Sequence, residues 1–296
     1  MLGCYLIWGL VPLYWKQLAH VNALELIAHR HVWSLVFVLF LVSQQGELRL
    51  LFTALRRPRA IFLNLVSALL LTGNWLIYVW GVNTGHIVEA SLGYYLAPLV
   101  NVASGRFLLH EHLRLRQWLA ITFAALGVAV LVIQMGRLPW IALGLAGTWG
   151  GYSLMRKKSS LGALTGLAAE TLLLAPFAAA YLLWRENAGV GALGHVGTTT
   201  TVLILSSGVI TAIPLIMFAY GAKRIRLTTL GVLQYLTPSL QFSLGVWVYG
   251  EAFPRERLFA FGFIWAALVL YAVDTVVTQR RAAAAVVAPV TEEPAG

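Results

Sequence analysis

Two stretches of the sequence decide the fold: WGVNTGHIVEASLGYYLAPLVNVASGRFLLHE (80–111) and YGAKRIRLTTLGVLQYLTPSLQFSLGVWVYGE (220–251). They align without a gap at an offset of 140 residues. The matched positions are Gly81 and Gly221, Tyr95 and Tyr235, Leu96 and Leu236, Pro98 and Pro238, Gly105 and Gly245, and Glu111 and Glu251. A shared apolar background does not explain matches of proline, glycine, tyrosine and glutamate in one frame, so the pattern predicts an internal repeat.

The composition around this repeat excludes a soluble protein. Of the 296 residues, 59% are hydrophobic and only 11% are charged, and the mean hydropathy is +0.79. Soluble domains carry about 25% charged residues, so this chain has too little charge to solvate a globule of its size. The 13 Phe, 11 Trp and 11 Tyr residues exclude disorder. A single cysteine, Cys4, excludes an intramolecular disulfide and a cysteine-cluster metal site.

The apolar residues are gathered in runs long enough to cross a bilayer as helices, which takes about 17–25 residues. Ten such runs lie at about 2–19, 26–43, 60–80, 87–108, 118–135, 138–155, 163–184, 200–220, 227–249 and 258–278. They are continuous rather than short and alternating, which favours helices over a barrel. The sequence therefore predicts an all-α integral membrane protein with ten transmembrane helices.

The loop charges predict the orientation of these spans. The loops after the even-numbered spans and the C-terminal tail carry 14 Lys and Arg residues, whereas the loops after the odd-numbered spans carry 5. Basic residues accumulate on the cytoplasmic side, so both termini are expected in the cytoplasm. Anionic lipid headgroups on that side account for the formal net charge of +10. No nucleic-acid partner is needed to explain it.

Each half of the chain holds five predicted spans. Residues 1–136 are expected to form the first five-helix repeat, residues 137–281 the second, and residues 282–296 a disordered cytoplasmic tail. Because five is odd, the second repeat must enter the membrane from the opposite face. Inverted repeats are typical of secondary transporters, whose substrate site lies near the midplane between the halves. A channel and a membrane-embedded enzyme acting on lipids stay open as alternatives.

Strings along nearly the whole chain resemble one family. They include WGLVPLYWKQL (8–18), GNWLIYVWGVN (73–83), EASLGYYLAPLVNV (89–102) and RIRLTTLGVLQYLTPSL (224–240). With them the chain resembles the drug/metabolite transporter superfamily, EamA type, RarD-like branch, and is similar to the YddG-type amino-acid exporters. The resemblance implies a ten-helix carrier of the bacterial inner membrane that exports small metabolites. One departure from the family is His110-Glu111, where the family has Gly-Glu, and another is the missing hydrophilic stretch before the first span.

Polar and aromatic residues around the two repeated prolines are the first candidates for a substrate site. Ser91, Tyr94, Pro98 and Asn101 share one helical stripe of the fourth span, next to Tyr95. The matching stripe of the ninth span has Gln234, Pro238 and Gln241, next to Tyr235. Both stripes should face the bundle interior, either to line a cavity or to form helix–helix hydrogen bonds. Pro98 and Pro238 are expected to kink their helices beside the cavity.

Trp8 and Trp149, which are repeat mates, lie near the middle of their spans, where an interfacial aromatic belt does not explain them. With Asn74 and Tyr78 of the third span, they predict a cavity lined by aromatic rings and hydrogen-bonding groups. Such a cavity suits amphipathic or aromatic small molecules.

The charged residues within the spans are weaker candidates for a functional site than the polar and aromatic residues. Glu89 and Glu170 are candidates for coupling or for the entrance, and Arg30 is expected to have a structural role near a helix end. His110 and His112 do not share a helix face, so no metal site is expected. No nucleotide-binding loop is present, so neither a cofactor nor an ATPase subunit is implied.

The function predicted from the sequence is export of small metabolites by alternating access, with amino acids, including aromatic ones, as substrates. An exporter of amphipathic, chloramphenicol-like drugs is the second carrier hypothesis. The partners expected are the small-molecule substrate and membrane lipids, and the carrier is expected to act as a monomer and not as an enzyme.

Overall fold

The computed structural model describes residues 1–84, 86–136, 138–248 and 255–287, and these residues are helical apart from short connections. The helices are α1 (Leu2–Lys16), α2 (Ala23–Gln44), α3 (Leu48–Ala54), α4 (Pro58–Asn83), α5 (Ile87–Ala103), α6 (Leu115–Met135), α7 (Trp140–Lys158), α8 (Ala163–Asn187), α9 (Thr198–Arg224), α10 (Leu227–Gln234), α11 (Leu236–Trp247) and α12 (Arg255–Val287). A π-helical turn, Ser104–Leu108, follows α5 directly.

Within the described residues, nine of the ten apolar runs coincide broadly with one helix each, the run 227–249 covers α10 and α11, and the short α3 lies in a connection. Five segments are both long and apolar enough to cross a membrane: Ala23–Gln44, Pro58–Gly81, Leu115–Gln134, Ala163–Asn187 and Thr198–Arg224. The prediction of an all-helical protein with several helices long and apolar enough to cross a membrane is therefore confirmed for the described residues. The number of spans, their inverted arrangement and the side of the termini stay predictions.

Helix ends follow from local capping chemistry. The side chain of Asn22 accepts hydrogen bonds from the backbone N–H groups of Leu24 and Glu25, at 3.0 and 3.2 Å, and so starts α2. A helix C-terminus is fixed in a different way: α6 ends at Gly136, whose φ of +67° is a conformation that glycine adopts without steric cost. These signals mark where α2 begins and where α6 ends.

The two repeated prolines have different effects on their helices. Pro98 lies inside the continuous helix α5. Pro238 lies in the first turn of α11, just after Tyr235, where the helix is interrupted between α10 and α11. Proline has no N–H group and its ring crowds the carbonyl group four residues earlier, here that of Gln234. The ninth predicted span is therefore two short helices, whereas the fourth is one helix that ends in a π-helical turn.

The packing of the helices follows the sequence repeat. The repeat matches α1 with α7, α2 with α8, α4 with α9, α5 with α10 and α11, and α6 with α12. Helix α5 packs on α7 just as α11 packs on α1, and α2 packs on α9 just as α8 packs on α4. The pairs α2–α8 and α6–α12 join corresponding helices. Each half therefore uses the same helix neighbours in the other half.

Two glycines show this correspondence at atomic scale. A Cβ atom on Gly9 would lie 2.7 Å from Cβ of Leu240, and one on Gly150 would lie 2.4 Å from Cγ1 of Val100. Gly9 and Gly150 are repeat mates at an offset of 141, and Val100 and Leu240 are mates at an offset of 140. The Trp-Gly pair near the start of each half thus allows the same close helix crossing twice.

The departure at His110 has a local structural meaning. His110 follows the π-helical turn with a φ of +53°, in the left-handed region that favours glycine. The next residue, Glu111, accepts hydrogen bonds from the backbone N–H groups of Leu227 and Thr228, at 2.7 and 3.0 Å. The turn therefore aims a carboxylate at the start of α10, where the helix dipole favours negative charge. Its repeat mate, Glu251, lies outside the described residues.

Replacement of Gly208 by alanine should destabilise the bundle strongly. Here α9 crosses α2 so closely that a Cβ atom would lie 2.2 Å from the carbonyl carbon of Trp33 and 2.5 Å from the backbone nitrogen of Ser34. Overpacking costs about 1–3 kcal/mol and sometimes more, and backbone atoms cannot rotate away. We expect Gly208→Ala to lower the melting temperature of the detergent-purified protein and its yield. Gly147→Ala in α7, where no atom lies within 4 Å of the added carbon, is the control. Equal melting of the two variants would contradict the close crossing.

Candidate functional site

A cavity of about 550 Å³ lies between the two halves of the bundle. Its walls come from α1, α2, α4, α5, α7, α10 and α11. Small-molecule sites typically have about 300–1,000 Å³, so the cavity has room for one amino acid or one drug-sized molecule.

Most of the residues expected at a substrate site line this cavity. Seven side chains from the predicted set, together with Pro238, form part of its wall: Trp8, Asn74, Tyr78, Tyr94, Trp149, Gln234 and Gln241. They come from both halves of the chain. Tyr78 and Tyr94 meet edge to face, with their ring centres 5.6 Å apart.

Four other predicted residues lie away from the cavity wall. Tyr95 and Tyr235, which are repeat mates, pack together in an apolar cluster with α6 and α12. Neighbours on a helix point about 100° apart, and here Tyr94 lines the wall while Tyr95 turns toward the cluster. Asn101 is fully buried behind the cavity, and Pro98 is not part of the wall. The side chain of Ser91 lies outside the described part of the chain.

One amide oxygen links the two predicted stripes. Oε1 of Gln234 accepts a hydrogen bond from Nδ2 of Asn101 at 2.9 Å and another from the indole Nε1 of Trp149 at 3.1 Å. The other amides also bond to neighbouring helices. Nδ2 of Asn74 donates to the carbonyl oxygen of Leu145 at 2.8 Å, and Nε2 of Gln241 donates to that of Trp8 at 3.0 Å. The stripes were expected either to line a cavity or to join helices. Gln234 and Gln241 do both.

Packed aromatic rings close one end of the cavity. We call Tyr5, Trp8, Trp149, Tyr152 and Phe218 the aromatic plug. The ring centres of Trp8 and Trp149 are 5.2 Å apart, and Phe218 lies 5.7 Å from the first and 5.1 Å from the second. Tyr5, Tyr152 and Phe218 are fully buried. The repeat mates Trp8 and Trp149 therefore meet at the floor of the cavity.

The opposite end of the cavity is its mouth. Its wall there includes Lys16 at the last residue of α1, Ala19 in the following turn and Ala23 at the first residue of α2. Lys16 and Ala19 are exposed. The cavity is therefore open where α1 ends and closed by the aromatic plug nearer to where α1 begins.

The two candidate coupling carboxylates have structural partners. Glu89 is buried and accepts a hydrogen bond at 2.7 Å from the backbone N–H group of Ile141, in the first turn of α7. Glu170 forms a buried ion pair with Arg156 at 3.0 Å and accepts a hydrogen bond from the hydroxyl of Ser67 at 2.6 Å. Neither lines the large cavity. Glu170 instead borders a separate cavity of about 10 Å³, the size of one water molecule.

Arg30 is the cavity residue that sequence reasoning missed. It lies about two turns inside α2 rather than at the helix end, and it is part of the cavity wall. Its guanidinium carbon lies 4.0 Å from the ring centre of Trp75 and 4.7 Å from that of Trp15, both within cation–π range. The sequence contained a signal for this role: Arg30 is a cation inside an apolar run, and no acidic residue lies three or four positions away to pair with it. Its partners in the structure lie on other helices, and the sequence alone could not identify them.

Within the described residues, no group of three His, Cys, Asp or Glu side chains is close enough to hold a metal ion. The chemistry that the cavity offers is therefore that of aromatic faces, amide groups and the basic side chains of Lys16 and Arg30.

Comparison with known proteins assigns the chain to a family. The sequence profile of the EamA-like transporter family matches residues 1–133. Protein RarD of Escherichia coli is 42% identical over 280 residues, which cover 95% of each chain. The chain belongs to the EamA-like transporter family, in its RarD-like branch. It is thus a multi-pass membrane protein of a transporter family, as its sequence predicts.

Other relatives in this family span nearly the whole chain as well. An uncharacterized transporter of Vibrio cholerae is 43% identical over 273 residues, which cover 92% of this chain and 90% of the relative. The chloramphenicol-sensitive protein RarD of Pseudomonas aeruginosa is 29% identical over 269 residues, which cover 90% and 89% of the two chains. A crystal structure with 21% sequence identity superposes with a TM-score of 0.70 over 92% of this chain and 95% of the other, which shows a shared fold.

Removal of Glu170 should destabilise the protein because Arg156, with a side chain only 1% exposed, would lose its counter-charge. Breaking a buried ion pair from one side costs about 3–5 kcal/mol, whereas replacing both partners by apolar residues is often neutral. We expect Glu170→Ala to lower the melting temperature and the double variant Glu170→Met/Arg156→Met to recover most of it.

The control is Glu186→Ala on the same helix, because Glu186 forms an exposed pair with His195 that is worth less than about 1 kcal/mol. If Glu170→Ala melted like this control, Glu170 would have no structural role and its candidacy for coupling would gain weight.

Proposed function

We propose that this protein is a secondary transporter of the bacterial inner membrane that exports amino acids, including aromatic ones, by alternating access. The observation that carries the proposal is the cavity between the two halves. Its closed end is formed by the repeat mates Trp8 and Trp149. Aromatic faces and amide groups suit a molecule with an apolar body and a polar end. The outward direction of transport rests on the family resemblance alone.

The proposed architecture is two inverted five-helix repeats, residues 1–136 and 137–281, with both termini in the cytoplasm. The matched packing partners of corresponding helices and the loop charges support it. In this orientation the mouth faces outward and the aromatic plug lies toward the cytoplasm. Separation of the plug rings, with closure at the mouth, would expose the same site to the other side. The break at Tyr235 and the proline in α5 supply places where the helices can bend.

The partners that we propose are the substrate and membrane lipids. The carrier acts as a monomer in this proposal, without a cofactor, an ATPase subunit or a nucleic acid. Coupling to protons through Glu89 or Glu170 is less favoured, because both carboxylates have structural partners.

A drug exporter is the second candidate. It is favoured by the aromatic lining and by one relative whose name records chloramphenicol sensitivity. A channel and a membrane-embedded lipid enzyme are the alternatives from other classes. In the transport assay below a channel differs from a carrier by the absence of counterflow, and a lipid enzyme by the absence of any substrate flux.

Cysteine labelling tests the proposed orientation. Cys4 is buried, and its replacement by serine leaves a background without thiols. Ala188→Cys, in the exposed connection after α8, should react with an impermeant maleimide on intact cells because the proposed topology places it outside. Ser160→Cys, in the connection after α7, should react only after the membrane is permeabilised. Labelling of both positions from the same side would refute the ten-span inverted arrangement.

Counterflow in proteoliposomes tests the carrier and its substrate. Vesicles loaded with unlabelled phenylalanine should transiently accumulate labelled phenylalanine from outside. Trp149→Ala and Tyr94→Ala should weaken substrate binding roughly tenfold, the effect of losing about 1.4 kcal/mol of aromatic contact. Trp184→Ala is the control, because Trp184 is 60% exposed on α8 and does not line the cavity.

Failure of the folded protein to accumulate any amino acid would remove this substrate class. Counterflow of a chloramphenicol-like molecule would then establish the drug carrier. Rapid flux without counterflow would indicate a channel.

A further inference from the structure

Arg30 is held in a fixed orientation on the cavity wall by three other helices. The rings of Trp15 from α1 and Trp75 from α4 both pack against its guanidinium group, at 4.7 and 4.0 Å from the guanidinium carbon. Its Nε donates a hydrogen bond at 3.0 Å to the hydroxyl of Thr211 from α9. We call these four residues the arginine cage. Aromatic contact and the single hydrogen bond orient the planar group without neutralising its charge.

The charge of Arg30 has no counter-ion in the described part of the chain. No carboxylate there lies within 4.0 Å of it, and the hydrogen bond to Thr211 uses only Nε. Two carboxylates are candidates for a counter-ion and both are committed elsewhere: Glu25 five residues earlier in α2, and Glu170, which borders the water-sized cavity that Arg30 also lines. Glu25 accepts from Arg185 at 2.8 Å and from the backbone N–H group of Ala192 at 2.7 Å, and Glu170 is paired with Arg156. The Nη1 and Nη2 groups of Arg30 thus keep their donor capacity.

The whole described wall of the cavity has one sign of charge. It includes the basic residues Lys16 and Arg30 and no Asp or Glu. A cation at membrane depth is costly unless it is paired or faces a water-filled cavity. Such a wall attracts anions and disfavours cationic ligands. An Arg fork also matches the two oxygens of a carboxylate, which makes this group the ligand feature that best fits the cage.

We propose that Arg30 binds the carboxylate of the substrate, so that the cavity selects aromatic monocarboxylates whether or not they carry an α-ammonium group. The anionic end of the molecule lies against the two Nη groups, and its apolar body lies against the rings on the cavity wall. An ammonium group meets no carboxylate on the described wall, so it contributes little to recognition. This inference rests on the proposed function, because it defines the substrate class of the same cavity.

Three ligands of similar shape separate the contributions of the two charges. Phenylalanine has both charged groups, 3-phenylpropanoate lacks the ammonium group, and phenylalaninamide lacks the carboxylate. Binding is measured by calorimetry on the detergent-purified full chain. We expect the dissociation constants of the first two to agree within about tenfold. Phenylalaninamide should bind at least about thirtyfold more weakly, because loss of one partner of a desolvated charge pair is costly.

Variants assign this preference to Arg30. Arg30→Gln should remove the advantage of 3-phenylpropanoate over phenylalaninamide, whereas Arg30→Lys should keep a reduced advantage because it retains the charge without the planar fork. Arg49→Gln removes the same charge from an exposed position on α3 and should bind as the wild type does. Melting of the ligand-free variants verifies their folding. If Arg30→Gln does not fold, the comparison of the three ligands on wild-type protein and on Arg30→Lys decides.

Several results would overturn the inference. These are equal binding of phenylalanine and phenylalaninamide, absence of binding by 3-phenylpropanoate, and an unchanged carboxylate preference in folded Arg30→Gln. If phenylalanine counterflow survived in that variant, the carrier would stand and the role of Arg30 would fall. Arg30-dependent carboxylate binding without any counterflow would keep the binding site and refute the carrier.

Discussion

The hydrogen bonds to Oε1 of Gln234 connect the two halves of the bundle at the floor of the cavity. Asn101 donates from α5, Trp149 donates from α7, and the accepting residue is the last of α10. In an apolar surrounding an unpaired amide or indole N–H group is costly, so this oxygen constrains three helices at once. Trp8 packs edge to face and Phe218 packs at a tilt against the same indole, and the cavity floor lies above it. The position of the cavity thus depends on this shared acceptor.

The helices could be located from the sequence because each is a continuous apolar run bounded by polar or glycine-containing turns. The break at Tyr235 could not be located, because no charged residue interrupts 227–249 and Pro238 has a mate, Pro98, inside an unbroken helix. Helical spacing placed Tyr94 and Gln234 on matching stripes, and both lie on the cavity wall, where substrate binding by them stays a prediction. The adjacent residues Tyr95 and Tyr235 pack against α6 and α12 instead, and only this packing shows which of the two adjacent residues in each region lines the wall.

Charged residues were the least predictable part of the site. The partner of Glu170 is Arg156 on the preceding helix, and the contacts of Arg30 come from positions 15, 75 and 211. Such pairings depend on how helices rotate against one another, and a single sequence does not contain this information. For the same reason, the sequence does not show which buried charges are paired within the protein and which are not. Glu170 and Arg156 neutralise each other within the protein, whereas Arg30 lines the cavity with no carboxylate of the described residues within 4.0 Å.

The aromatic plug also has an electrical consequence. A water-filled cavity conducts ions, but a layer of packed rings does not, so the voltage across the membrane falls mainly over the plug. In the proposed orientation Arg30 and the cavity are then close to the outside potential. One elementary charge that crosses this layer experiences about 2.3 kcal/mol per 100 mV. A cell interior that is electrically negative would therefore drive a singly charged anion outward through the plug, with no other energy source.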